Sequence, residues 1–179
     1  MSYVAVACRV LIGLVFLTSV VHNGASPARF RVFATWLGTL STPAAKHVKT
    51  SAIGFLAVEG AIVIMVALPW TAALGGVLAA LVLGCFIVEI ALLLREGVDV
   101  PCSCFGASRQ LLGAPTLARD GFLLLSTMPI AIFGSNPVAS GAPIALSIGI
   151  GIVGAALVVA SDDLAPLLMS RNDSRRVIS

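Results

Sequence analysis

Residues 50–94, TSAIGFLAVEGAIVIMVALPWTAALGGVLAALVLGCFIVEIALLL, hold two long apolar runs that are separated only by Pro69 and Trp70. The hydrocarbon core of a bilayer is ~30 Å thick and needs about 20 apolar residues at a helical rise of ~1.5 Å each. The two runs therefore predict transmembrane helices at 50–68 and 71–94. Because so few residues join them, they should form an antiparallel hairpin with Trp70 at the level of the lipid headgroups.

Three more apolar stretches bring the predicted number of spans to five, at 3–22, 117–134 and 142–160. Pro129 interrupts the fourth of these helices, so a four-span alternative, in which helices four and five form one re-entrant unit, stays open. The predicted fold class is an all-α integral membrane bundle of five helices. It forms a single domain over 1–160, followed by a polar basic tail at 161–179.

The composition supports a membrane protein, because 59% of the 179 residues are apolar and 11% are charged. With a mean hydropathy of +1.07, such a chain cannot build a soluble surface. Its formal net charge is +3, but the charged residues lie between and after the apolar runs and form no basic stripe. Nucleic acid is therefore excluded as a partner, and the lipid bilayer is the expected one.

Lysine and arginine residues lie mostly on one side of the predicted bundle, in loop one, in the loop after helix three and in the tail. The positive-inside rule therefore predicts a multi-pass protein with its N-terminus outside and residues 95–117 in the cytoplasm. A cleavable signal peptide is the alternative interpretation of the first span. Since no positive charge precedes Arg9, we expect a retained helix.

Loop one should contain a helix that lies in the membrane interface. Ser26 and Pro27 are typical of a helix start. The apolar residues that follow fall on one helical face: Phe30, Phe33, Leu37 and Leu40. With Arg29 and Arg31 nearby, the segment is amphipathic, as interfacial helices are.

The loop at 95–116 contains the residues that carry chemistry, in the sequence Pro101-Cys102-Ser103-Cys104-Phe105-Gly106. On an extended strand, residues two apart have Cα atoms ~6.5–7 Å apart, at the edge of what a disulfide tolerates. A disulfide between Cys102 and Cys104 would therefore need a turn, for which Pro101 and Gly106 supply a rigid and a permissive end. Strained, exposed disulfides are the easily reduced and catalytic ones, which favours a redox pair.

Two other interpretations of Cys102 and Cys104 stay open. Two thiolates are half of a tetrahedral zinc shell, which His22 and His47 could complete, or they could hold Cu(I). The pair could also fill space, although a polar loop beside the membrane is an unusual place for buried packing. The other two cysteines, Cys8 and Cys85, differ too much in depth to form a disulfide, and we expect both to be small apolar fillers.

Ionisable residues inside spans are costly and indicate pairing or function. Arg9 and Glu59 differ in predicted depth by about 8 Å at the helical rise per residue. We therefore predict that Arg9 and Glu59 form an ion pair inside the bundle and hold their two helices together.

Three ionisable residues should lie around the base of the Cys-x-Cys loop, namely Glu89, Arg119 and Asp120. A cation beside a thiol lowers the pKa of that thiol, so Arg119 and His22 are candidates for tuning the thiolates. A salt bridge between Arg119 and Glu89 is an equal alternative.

Small residues recur every four positions in two spans, at Ala72, Gly76, Ala80 and Gly84 and at Ser147, Gly151 and Ala155. Such ridges let helix backbones approach closely, and we expect them to serve plain bundle packing.

The sequence resembles the MauE branch of the MauE/DoxX-like membrane proteins, the methylamine-utilisation group. The resemblance rests on the Cys-x-Cys-Phe-Gly signature at 102–106 after a third span, with shorter matching stretches at 9–16, 58–60 and 118–120. It extends over about 9–160. The middle residue is often Gly in this group, and Ser103 departs from that pattern while leaving both thiols intact.

The resemblance implies a redox-associated inner-membrane protein that works beside a thioredoxin-like partner. Its disulfide chemistry would serve the maturation of exported enzymes, such as methylamine dehydrogenase. The redox group would be a Cys102–Cys104 disulfide. If electrons pass across the membrane from a cytoplasmic donor, an intermediate carrier is needed, for which Cys85 and a quinone are the two candidates. That role needs redox traffic to reach the periplasm, whereas the charge count places the loop in the cytoplasm. The alternative function is a non-catalytic assembly or scaffold protein whose Cys-x-Cys loop binds a metal or docks a partner.

Overall fold

The computed structural model describes residues 2–39, 48–95, 114–134 and 142–176, and the side chains at 3–35, 49–95, 116–134 and 143–160. All regular structure in these ranges is α-helical. The helices are α1 (Ser2–Gly24), α2 (Pro27–Thr39), α3 (Val48–Ala67), α4 (Ala72–Arg95), α5 (Ala114–Phe133) and α6 (Ala142–Arg176).

Five of the described helices, all but α2, are long and apolar enough to cross a membrane. Their apolar cores confirm the five predicted spans to within two residues at each end. Large apolar side chains on the outer faces of these helices stay exposed, among them Val21, Ile64, Leu81, Leu125 and Leu157. Since lipid is the solvent that such faces need, the protein is a multi-pass membrane protein.

Pro129 does not interrupt the fourth span, because α5 continues through it. The four-span alternative, which depended on that break, is wrong. Hydroxyl groups just before the proline bond to backbone carbonyls of the same helix: Ser126 Oγ donates to Phe122 O at 2.9 Å, and Thr127 Oγ1 donates to Leu124 O at 2.6 Å. Neither bond reaches Leu125 O, the carbonyl that would accept the N–H that Pro129 lacks.

The last helix is longer than the span that it contains. The apolar run in the sequence ends at Ala160, but the backbone of α6 stays helical to Arg176. The segment predicted as a polar tail therefore begins as a continuation of the helix.

Close helix packing uses glycines of the two predicted ridges. A Cβ atom at Gly76 would lie 2.9 Å from Ile130 Cγ2 on α5, and one at Gly151 would lie 2.6 Å from the Ala7 carbonyl oxygen on α1. The packing interpretation is confirmed for these two glycines. Gly84 differs, because a Cβ atom there would meet no described neighbour within 4 Å.

The helix predicted in loop one is confirmed as α2, and it packs against α3. Ser26 Oγ accepts a hydrogen bond from the Arg29 backbone N–H at 3.2 Å, which caps the helix start. Phe33 is 1% exposed and lies 5.7 Å from Phe55 between ring centroids, while Phe55 and Phe86 lie 5.3 Å apart. This aromatic series ties α2 to α3 and α4.

Candidate functional site

The antiparallel packing of α4 and α5 determines which end of the bundle the Cys-x-Cys loop joins. Gly76, near the start of α4, packs on Ile130, near the end of α5, so Arg95 and Ala114 lie at the same end. We call this the loop end, where α1 also ends and α3 begins. The opposite end, where α3 ends and α4 begins, is the hairpin end.

The motif residues themselves lie outside the described residues: Pro101, Cys102, Cys104, Phe105 and Gly106. Their roles stay predictions. What the structure describes is the set of polar side chains in the helices that lead to and from this loop.

Glu59 on α3 is 2% exposed and lies deep in the bundle. Its carboxyl group accepts a hydrogen bond from the Ser19 hydroxyl on α1, which lies 2.9 Å from Oε1 and 3.1 Å from Oε2. The Ser19 oxygen in turn accepts a hydrogen bond from Asn23 Nδ2 at 3.3 Å. These three side chains form a buried polar series, Glu59–Ser19–Asn23, that extends toward the loop end.

The sequence interpretation included Glu59 but not Ser19. A signal was present, because Ser19 and Asn23 are four residues apart and therefore share one face of α1. Polar residues on the buried face of a span need partners, and Glu59 is the acidic residue of the adjacent span.

The predicted ion pair between Arg9 and Glu59 is wrong. Glu59 lies at the level of Ser19, which is ten residues past Arg9 on α1, about 15 Å along the helix axis. The prediction estimated the depth of each residue by counting from the predicted end of its span. An error of a few residues at each span end is enough to give two distant residues the same estimated depth.

The Arg9 guanidinium instead binds backbone carbonyls at the hairpin end. Its Nε donates to Val66 O at 2.9 Å and its Nη2 to Ala67 O at 3.0 Å, in the last turn of α3. Its Nη1 donates to Gly134 O at 3.4 Å, directly after α5. Since the last carbonyls of a helix lack intrahelical partners and carry partial negative charge, Arg9 caps two helices at once.

Arg119 and Asp120 form an ion pair near the loop end. Nε and Nη2 of Arg119 lie 3.0 and 2.9 Å from Asp120 Oδ1, and the two side chains are 10% and 4% exposed. The alternative salt bridge to Glu89 is wrong, because Asp120 is the carboxylate that pairs with Arg119 among the described residues. Asp120 lies about 9 Å along the axis from the start of α5 at Ala114, close to where the loop joins.

His22 is half-buried in the last turn of α1, at the loop end. The proposed tuning of the thiolates by His22 or Arg119 stays a prediction, since both thiols lie outside the described residues.

The two cysteines in the spans are free thiols, which confirms that they do not pair with each other. Cys8 is half-buried and packs against the main core cluster, as expected of a small apolar filler. Cys85 is exposed on the outer face of α4, so the filler interpretation is wrong for this residue.

Within the described part of the chain, no group of three or more His, Cys, Asp and Glu side chains could hold a metal ion. The metal alternative therefore depends on Cys102 and Cys104 and stays a prediction.

Comparison with known proteins gives a family match over most of the chain. A family model described as "Methylamine utilisation protein MauE" matches residues 1–134. The matched region contains α1 to α5 and the Cys-x-Cys loop, and it ends where α5 ends, short of the residue 160 expected from the sequence. No curated protein and no solved structure matches the chain.

Proposed function

This chain belongs to the methylamine utilisation protein MauE family, and we propose that it acts as a membrane thiol–disulfide component in which Cys102 and Cys104 cycle between dithiol and disulfide. The observation that carries the proposal is the Cys-x-Cys sequence in the connection between α4 and α5. Two thiols separated by a single residue, outside the apolar spans, can form only a strained ring, and strained, accessible disulfides exchange most readily.

The proposed reaction is thiol–disulfide exchange with a partner protein. A partner thiolate attacks the Cys102–Cys104 disulfide and forms a mixed disulfide, and the second partner thiolate then displaces the remaining cysteine thiolate. The partner leaves as a disulfide, and Cys102 and Cys104 are left as a dithiol that has gained two electrons and two protons. The relative reduction potentials of the two proteins decide in which direction this exchange runs.

Two basic side chains at the loop end of the bundle are the candidates for tuning this chemistry. The Arg119–Asp120 pair lies near the start of α5, and His22 lies at the end of α1, on the same side of the bundle. A cation near a thiol stabilises its thiolate, which is the reactive form. In this proposal Arg119 and His22 are positioning and tuning residues, while Cys102 and Cys104 react.

The partner in this proposal is a thioredoxin-like protein, and the location is the bacterial inner membrane. The clients are exported enzymes that need disulfides, for which methylamine dehydrogenase is the candidate. The methylamine-utilisation description of the family supports the choice of client, and the five apolar helices support a location in a membrane.

A redox titration tests the proposal. Because Cys8 and Cys85 are free thiols, the protein is prepared with Cys8→Ala and Cys85→Ala, so that alkylation counts only Cys102 and Cys104. After equilibration in thiol–disulfide buffers of graded potential, we expect a single two-electron transition that adds two alkyl groups per chain. Cys102→Ser and Cys104→Ser should each abolish it.

A thiol count that does not depend on the buffer potential would contradict the proposal. If the same preparation contained stoichiometric zinc or copper, and either serine variant removed it, the assembly or scaffold alternative would replace the redox function.

A further inference from the structure

An apolar groove runs along the outside of α1, between α3 and α6. Its volume is about 400 Å³, and every lining residue except Arg9 is apolar, including Gly13, Leu17, Val63 and Ile148. The α1 residues that line it extend from Val6 to Leu17, about 16 Å along the helix axis. That length is close to the ~15 Å of one leaflet of the hydrocarbon core.

Arg9 lies in this groove toward the hairpin end and brings a positive charge to it. An Arg side chain has five N–H donors, and three hydrogen bonds to carbonyls leave two of them for another acceptor. Among the described side chains, no carboxylate lies within ion-pair distance of Arg9. The guanidinium therefore has both a charge and donors to offer to an anion.

The depth of the Arg9 guanidinium agrees with the level of the lipid headgroups. It binds the carbonyl of Ala67, the last residue of α3, and Trp70, three residues further on, is 71% exposed. Exposed tryptophan is typical of the membrane–water interface. Long cationic side chains extend toward that interface while their aliphatic part stays among apolar groups.

We propose that this groove binds an anionic phospholipid from the leaflet at the hairpin end. The phosphate accepts hydrogen bonds from the two remaining N–H groups of Arg9, and one acyl chain lies in the groove over Gly13. The aliphatic lining fits a hydrocarbon chain, and the positive charge at its mouth favours an anionic headgroup over one with no net charge. The site is separate from the Cys-x-Cys loop, because Arg95 and Ala114, the helix ends that this loop connects, lie at the opposite end of the bundle.

The test uses a variant that fills the groove and leaves Arg9 in place. A Cβ atom at Gly13 meets nothing within 4 Å, so Gly13→Leu starts a side chain in open space and directs it into the groove that Gly13 lines. Gly54 on α3 also has nothing within 4 Å of its Cβ position and does not line the groove, so Gly54→Leu is the matched control. Arg9→Gln is a second variant, checked for its helix content by circular dichroism.

Delipidated full-length protein in a non-ionic detergent is titrated with phosphatidylglycerol or phosphatidylcholine, and bound lipid is counted by native mass spectrometry. We expect one phosphatidylglycerol per chain in the unaltered protein and in Gly54→Leu. Gly13→Leu should weaken this binding about tenfold, the effect of excluding roughly two methylene groups from the groove. Arg9→Gln should remove the preference for phosphatidylglycerol over phosphatidylcholine.

Three results would overturn the proposal. Equal affinity for the two lipids in the unaltered protein would show that Arg9 does not recognise the headgroup. Unchanged binding in Gly13→Leu would show that the chain does not lie in the groove. A neutral isoprenoid quinone could displace phosphatidylglycerol from the unaltered protein but not bind to Gly13→Leu. That result would assign the groove to a different class of ligand.

Discussion

The Ser19 hydroxyl on α1 donates a hydrogen bond to the Glu59 carboxyl group on α3, 2.9 Å away, and joins the two spans within the apolar bundle. The nearby Asn23 amide donates to the same hydroxyl. A buried acidic group without such a donor would be costly, since lipid and packed apolar side chains offer it no alternative.

Removal of the Ser19 hydroxyl should destabilise the bundle. We expect Ser19→Ala to lower the free energy of unfolding by ~1–3 kcal/mol, because it leaves the Glu59 carboxyl group buried without its donor. The measurement is reversible unfolding in detergent micelles. Thr18 is the matched control, since its exposed side chain donates to Val15 O in its own helix, at 2.8 Å, and to no other residue in the part of the chain that the structure describes. Thr18→Ala should change stability by less than ~0.5 kcal/mol, and equal losses in the two variants would contradict this role for Ser19.

Arg9 and Glu59 should behave as independent residues. Arg9 caps α3 and α5 at the hairpin end, whereas Glu59 bonds to Ser19 about 15 Å further along α1. In a double-mutant cycle of Arg9→Gln and Glu59→Gln, we expect the two losses of unfolding free energy to add within ~0.5 kcal/mol. A coupling energy between the two substitutions well above ~1 kcal/mol would show that Arg9 and Glu59 form the ion pair predicted from the sequence.

Asp120 should matter more than Glu89 for stability. Asp120→Asn leaves the largely buried Arg119 guanidinium without its paired carboxylate, and we expect a loss of roughly 3 kcal/mol in the free energy of unfolding. Glu89→Gln, in the half-buried side chain on α4, should cost less than ~0.5 kcal/mol. Comparable losses would mean that Glu89 contributes to holding Arg119. The free energies of unfolding of the two variants are measured in detergent micelles, as for the Ser19 variant.

The fold could be predicted from the sequence because hydropathy and length decide it. Each span is an apolar run of the length that a bilayer needs, and the short Pro69-Trp70 turn allows only an antiparallel hairpin. Pro129 misled the prediction, because membrane helices can continue through a proline, as α5 does. The helix α6 also extends beyond the apolar run, to Arg176, because a polar segment can continue a helix that an apolar segment begins.

The polar contacts were harder to predict than the spans. Hydropathy locates Arg9 and Glu59 inside helices, but it gives neither their exact depths nor the directions in which the side chains extend. The long Arg9 side chain reaches backbone carbonyls, which a search for charged partners overlooks. The Arg119–Asp120 pair was missed because adjacent residues on a helix do not normally face each other, whereas a flexible arginine can fold back onto its neighbour.

The central claim, that Cys102 and Cys104 form a working disulfide, is tested most directly by alkylation in the native membrane. Intact cells and inverted vesicles that carry the Cys8→Ala and Cys85→Ala protein are treated with a membrane-impermeant thiol reagent, with and without prior reduction. We predict that neither cysteine is labelled until it is reduced, and that labelling then occurs in only one of the two preparations, which identifies the side of the loop. Full labelling of both cysteines without reductant, increased further by a metal chelator, would contradict the redox cycle and favour metal binding.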